Sequence, residues 1–162
     1  MREFSISLGG ATVLGATTLI FVNTAAAPGP NIEFLRYWVG QSANATSAQQ
    51  RIELATKASA FPTLVSSTPV KLKPSDPNAS VITGATSGAS STCGVNASAE
   101  GAGTQTVVFD DAFNVLNGWL HVPTPAETRV MPAGLTSALE LYFPVTPGTT
   151  TNWVAGLIYR EI

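Results

Sequence analysis

The sequence predicts an all-β protein: one antiparallel β-sandwich or jelly-roll-like barrel over residues 1–162, with little or no helix. Two observations lead to this expectation. Short apolar runs alternate with polar residues at period two, as in residues 4–8, which is typical of half-buried strands. Clusters of Gly, Pro, Asn and Ser separate these runs, and the 11 prolines are spread along the chain. Long helices are therefore excluded, and many short strands are favoured.

The predicted strands are residues 4–8, 12–22, 32–39, 51–56, 63–65, 70–72, 81–83, 104–109, 115–122, 129–131, 138–143 and 153–159. Residues 47–60 also fit a helix, but the alternation across residues 51–54 favours a strand there. Residues 110–113 are compatible with one short turn of helix.

Residues 1–30 fit two interpretations. A charged start, an apolar run and the sequence Ala25-Ala26-Ala27 resemble a secretory leader. However, Glu3 cancels the charge of Arg2, and Ser, Thr and Gly residues interrupt the apolar run. We therefore expect strands here, or an N-terminal arm that reaches a neighbouring subunit. The run is short and rich in Gly and Thr, so no membrane span is expected.

Residues 84–103 consist almost entirely of small side chains, which bury little apolar area. Two interpretations remain open for this segment. It is either a flexible surface loop or a loop that lies on a neighbouring subunit, where small residues permit close backbone approach.

The charge content excludes several classes of protein. Only 11% of the residues are charged, against about 25% in ordinary soluble domains. The net charge is −2 and there is no basic run, which argues against direct nucleic-acid binding. One cysteine excludes an internal disulfide and a cysteine-based zinc site. A weakly charged surface is expected where neighbouring molecules cover much of it.

The sequence does not indicate a catalytic site. The single histidine, His121, lies in an apolar run on the same face as Trp119, which favours a packed side chain. No serine lies in a nucleophile elbow. Asp110 and Asp111 follow a strand, where aspartates usually serve in turns, although adjacent carboxylates also bind cations. We predict that the protein is not an enzyme and has no cofactor or metal site, with cation binding by this aspartate pair left open.

Two further residue types are interpreted as structural. Cys93 has no His, Lys or Arg close in sequence to activate it, so an unreactive thiol is expected. Trp38, Trp119 and Trp153 would suit a platform for sugars, but each lies in an apolar run, which favours the core.

Several C-terminal segments resemble a known class of protein. They are residues 94–109, 113–119, 131–134 and 138–144, and the closing pairs Asn152-Trp153 and Glu161-Ile162. Together they resemble small β-rich head decoration (cement) proteins of tailed bacteriophages. The resemblance implies a jelly-roll or similar β-barrel that lies on the capsid surface of the virion and bridges major capsid protein subunits. We also expect a homo-oligomer, either a dimer or a trimer, on the capsid lattice. The resemblance transfers no catalytic residue.

Two other functions remain open from the sequence. One is a coat or fibre subunit that assembles by itself. The other is a secreted carbohydrate-binding β-sandwich.

Overall fold

The computed structural model describes residues 1–43 and 46–162, which form thirteen strands and no helix. The strands are β1 (Arg2–Ala11), β2 (Thr17–Asn23), β3 (Ile32–Gln41), β4 (Gln49–Ala58), β5 (Thr63–Ser66), β6 (Val70–Lys71), β7 (Thr83–Gly84), β8 (Thr92–Ala99), β9 (Thr104–Asn114), β10 (Trp119–His121), β11 (Arg129–Met131), β12 (Ser137–Phe143) and β13 (Trp153–Glu161).

The strands form two sheets that pack face to face, so the predicted all-β sandwich is confirmed. Sheet A has the order β10-β3-β13-β1-β6, and β11 also pairs with β3. Sheet B has the order β5-β8-β2-β12-β4-β9, and the short β7 runs parallel to β8. All other pairings are antiparallel. The two ends of the chain meet in sheet A, where β1 lies along β13.

The main core lies between the two sheets. Trp153 is its largest buried side chain and packs edge-on against Phe143 and Phe113, with ring centroids 4.8 and 6.3 Å away. Its indole nitrogen donates a hydrogen bond to the Thr149 carbonyl oxygen, which removes the cost of burying that N–H group. A smaller apolar cluster around Phe21 and Leu64 lies on the opposite face of sheet B.

Most predicted strands are confirmed, including residues 129–131 with the predicted bounds. The strand interpretation of residues 51–56 is also confirmed, because they lie within β4. At the N-terminus, β1 and β2 pair with strands of this chain, so these two strands are not a free arm. Three predicted strands differ from the structure: β2 begins only at Thr17 in the predicted strand 12–22, β10 covers only Trp119–His121 of 115–122, and β7 shares only Thr83 with 81–83.

Two further expectations were wrong. Residues 110–113 continue as strand in β9 and do not form a helical turn. Residues 84–103 are not one loop, because they contain β8 and the last residue of β7, and β8 lies between β5 and β2. Small residues are needed in β8 because it is closely packed. A Cβ atom on Gly94 would lie 2.7 Å from Leu64 Cβ and 2.9 Å from the Val65 carbonyl oxygen.

Candidate functional site

The outward surface of sheet A carries a group of apolar side chains that we call the outer face. Its members occupy neighbouring positions on β10, β3 and β13. Leu120 pairs with Trp38, and Trp38 pairs with Gly156, which lies between Val154 and Ile158 on β13. Val70 on β6 lies on the same surface but is separated from Ile158 by Ser5 of β1. Leu120 is 64% exposed and Val70 is 63% exposed, so this face offers apolar area that the chain itself does not cover.

Trp38 is only half-buried, which corrects the expectation that it belongs to the core. The indole lies over the backbone of β13 at Gly156, where a Cβ atom would collide with the ring. The glycine therefore lets a large flat side chain lie along the sheet surface. Trp119 and Trp153 are buried, as predicted.

One end of the outer face is charged. The Arg160 guanidinium lies 3.1 Å from the Glu33 carboxylate and 4.0 Å from that of Glu3, on three adjacent strands. An apolar centre beside a polar row is the usual composition of a protein interface. The only sequence signal for this face was the alternation around Leu120, which places it opposite Trp119 and His121.

A second exposed feature is the edge of sheet B. Strand β9 is 11 residues long and, in the part of the chain that the structure describes, it pairs only with β4. Val107 and Phe109 are among its exposed side chains. A long edge with few charges has free backbone N–H and C=O groups that another strand can pair with.

Asp110 and Asp111 lie on this edge strand, and each has a protein partner. Asp110 accepts a hydrogen bond from the Arg51 guanidinium at 2.8 Å. Asp111 accepts one from the Trp119 indole at 3.0 Å and one from the Ala112 backbone N–H. The two carboxylates therefore bind different side chains: Asp110 binds Arg51 in sheet B, and Asp111 binds Trp119 in sheet A. Residues 1–43 and 46–162 contain no cluster of three metal-ligating side chains.

His121 belongs to an aromatic group at the side of the sandwich where β10 approaches β9. Its ring is stacked with that of Trp119, with centroids 5.8 Å apart and planes 11° apart, so the predicted shared face is confirmed. The ring also lies 4.6 Å from Phe109 and 5.8 Å from Tyr37.

The outward surface of sheet B contains a buried ionic cluster that sequence analysis missed. Lys57 Nζ lies 3.6 Å from the carboxylate of Glu140 and 3.9 Å from that of Glu100, and it also donates to the Glu100 carbonyl oxygen. Glu100 accepts hydrogen bonds from the backbone and hydroxyl of Thr18, both 2.6 Å long. The cluster therefore holds the chain after β8 against sheet B.

Glu140 is fully buried in this cluster. One of its carboxylate oxygens accepts a hydrogen bond from Gln105 at 3.0 Å, while the other has no hydrogen-bond partner in the described chain. Burial raises the pKa of Glu140 to about 7, although the Lys57 charge opposes the shift. Glu140 does not line any of the three best-formed cavities of the described chain, and its contacts are with Gln105 and Lys57.

Cys93 is buried in β8, not in a loop. Its thiol lies 3.1 Å from the Ser67 carbonyl oxygen, and burial raises its pKa to about 12. A thiol that stays protonated is a poor nucleophile, which is consistent with the structural role expected for it.

Comparisons with known proteins find no relative. No family model matches the chain, and no curated protein or solved structure is significantly similar to it. In the described part of the chain, no helix is long and apolar enough to cross a membrane.

Proposed function

We propose that this chain is a structural virion protein that decorates a phage capsid and stabilises it by bridging major capsid subunits. The observation that carries this proposal is the outer face of sheet A. Apolar side chains on one sheet surface gain free energy when a partner removes them from water, at roughly 25 cal/mol per Å². The proposed partner is the capsid lattice, and the proposed location is the capsid surface of the virion.

The scarcity of charge supports the same proposal. Only 18 side chains, 8 basic and 10 acidic, carry a formal charge, and several of them pair with each other. Burying unpaired charges against a partner is costly, so a surface with few of them is suited to close contact. No catalytic role is proposed for any residue.

A second candidate is a coat or fibre subunit that assembles without a capsid. The edge strand β9 favours it, because two copies of an unpaired edge can pair with each other and extend the sheet. The same pairing would give the proposed homo-oligomer. Particles or filaments that form from the purified chain alone would favour this candidate over decoration.

The test of the first proposal is a change at the centre of the outer face. Leu120→Asp places a charge where the capsid would lie, and we expect it to weaken binding to assembled capsid shells at least about tenfold. Co-sedimentation of the purified protein with shells of the cognate major capsid protein measures this. Folding should be preserved, because most surface substitutions change stability by only about 0.5 kcal/mol.

Leu14→Asp is the matched control, because Leu14 is also highly exposed but lies between β1 and β2, away from the outer face. It should bind shells as the unchanged protein does. Equal binding of the Leu120→Asp variant, or no binding of the unchanged protein, would contradict the proposal.

A further inference from the structure

A cavity of about 300 Å³ opens between the two sheets, at the side where β9 faces β10 and β11. It lies on the inner side of β3 and β10, whereas the outer face lies on their other side. Its size is at the lower end of the range for small-molecule sites. The residues that line it come from both sheets and from the turn before β11. Those used in the argument below are Tyr37, Leu54, Phe109, His121, Glu127 and Arg129.

One wall of the cavity is aromatic. The Phe109 and His121 rings lie 4.6 Å apart, and the Tyr37 ring lies 5.8 Å from His121. Phe109 is 36% exposed although it is a large apolar side chain. Aromatic rings of this kind provide flat surfaces against which another ring can lie.

Two polar groups in the cavity have no protein partner. Tyr37 is only 2% exposed, yet its hydroxyl makes no hydrogen bond with any described residue. The hydroxyl is not one of the buried side-chain atoms that lack a partner, so it is accessible from the cavity and can bond with a molecule there. Arg129 is half-buried and makes no ion pair or hydrogen bond in residues 1–43 and 46–162. A guanidinium in such a place is suited to bind a carboxylate through two parallel hydrogen bonds.

The side chains of Arg129 and Tyr37 lie close together in the cavity. Burial raises the pKa of the Tyr37 hydroxyl, and the nearby Arg129 charge opposes that shift. The hydroxyl therefore stays protonated and is able to donate a hydrogen bond to a ligand oxygen. The positive charge also disfavours an ammonium ligand, which the aromatic wall alone would suit.

Glu127 supplies an acceptor at the rim. Its carboxylate accepts hydrogen bonds from the Thr124 backbone N–H at 3.1 Å and from the Thr124 hydroxyl at 2.8 Å. These bonds lower its pKa, so it remains charged. An ionised carboxylate is an acceptor with several lone-pair sites, and it is suited to bind ligand hydroxyl groups.

We propose that this cavity binds an acidic sugar, a six-membered ring that carries one carboxylate and several hydroxyls. The ring lies against Phe109 and His121, and its carboxylate pairs with Arg129. The Tyr37 hydroxyl donates to a ligand oxygen, and ligand hydroxyls donate to Glu127. The site goes beyond the proposed function and does not depend on it, because binding is measured on the isolated protein.

The experiment titrates the purified full-length protein with D-glucuronate, with D-glucose as the uncharged sugar and benzoate as a flat acid without hydroxyls. Since His121 is the only histidine, its imidazole NMR signals report on this site alone. We expect saturable shifts with glucuronate, and binding of glucose and benzoate that is weaker by about tenfold or more. No shift with glucuronate, or equal binding of glucose, would overturn the proposal. Tighter binding of benzoate would overturn the assignment to a sugar.

Variants separate the ligand contacts from folding. Arg129→Met should weaken glucuronate binding by about tenfold or more, whereas Arg36→Met, at an exposed arginine of β3, should leave it unchanged. Tyr37→Phe should weaken binding severalfold without lowering the melting temperature, because it removes a hydroxyl that faces the cavity and has no protein partner. If both Arg129→Met and Tyr37→Phe bind glucuronate as tightly as the unchanged protein, the cavity is not the site.

Discussion

At the scale of single residues, the carboxyl group of Glu140 is buried and its pKa is raised by that burial. Its pKa of about 7 means that the folded protein binds a proton there more tightly than the unfolded chain, whose value lies near 4.5. A group of this kind contributes stability that is complete below the unfolded pKa and is lost as pH rises through the folded one.

We therefore expect this group to lower the free energy of unfolding between about pH 4.5 and pH 7 or slightly above, by an amount on the order of 3 kcal/mol. The Glu140→Gln variant should lack this decline, because an amide does not titrate. Urea unfolding at pH 4.5, 6 and 8 measures the difference.

Glu33→Gln is the control for that series, since Glu33 is partly exposed in its ion pair with Arg160. It should keep the decline seen in the unchanged protein. If Glu140→Gln shows the same decline as well, another group is responsible for it and the assignment to Glu140 is wrong.

The cavity between the two sheets could not be predicted from the sequence. Tyr37, Phe109, His121 and Arg129 lie on four different strands. They come together only because β3 pairs with both β10 and β11, and because β9 is the edge strand facing them. His121 was recognised as packed, but nothing near Arg129 in the sequence indicates that its guanidinium has no partner.

At the scale of secondary-structure elements, alternation was a reliable guide where strands carry bulky residues. The bounds of β11 and most of β12 and β13 follow from it. It failed in β8, because Cys93, Gly94 and Ala97 have no bulky side chains to form a pattern. Close contacts with Leu64 and Val65 require those small residues, so the composition that suggested a loop instead reflects tight packing.

The position of Cys93 tests this correction. With a pKa raised from 9.0 to about 12, the thiolate fraction falls about a thousandfold, and burial blocks access as well. We expect labelling of Cys93 by a thiol reagent to be at least about a thousandfold slower in the folded protein than in denaturant.

Ser98 is exposed on the same strand and provides the comparison. A Ser98→Cys substitution in a Cys93→Ala background should react readily under native conditions. Fast labelling of Cys93 itself in the folded protein would mean that β8 does not form as described.

At the scale of the whole molecule, the sandwich has a packed core but leaves apolar groups and backbone groups exposed on its outer surfaces. Its core places large aromatic residues between the sheets, whereas the outer face and the β9 edge leave apolar and backbone groups uncovered. From the low charge content of the sequence we predicted that neighbouring molecules cover much of the surface. In the structure, the surfaces available for such contact are the outer face and the β9 edge.

The most direct test of the proposed function is the composition of the native virion. If the proposal is right, a phage encodes this chain; its purified particles would be resolved on a density gradient, and the chain would be quantified against the major capsid protein by mass spectrometry. The account predicts that the chain sediments with filled heads at a constant ratio set by the capsid lattice. Recovery of the chain only in the particle-free fractions would contradict it.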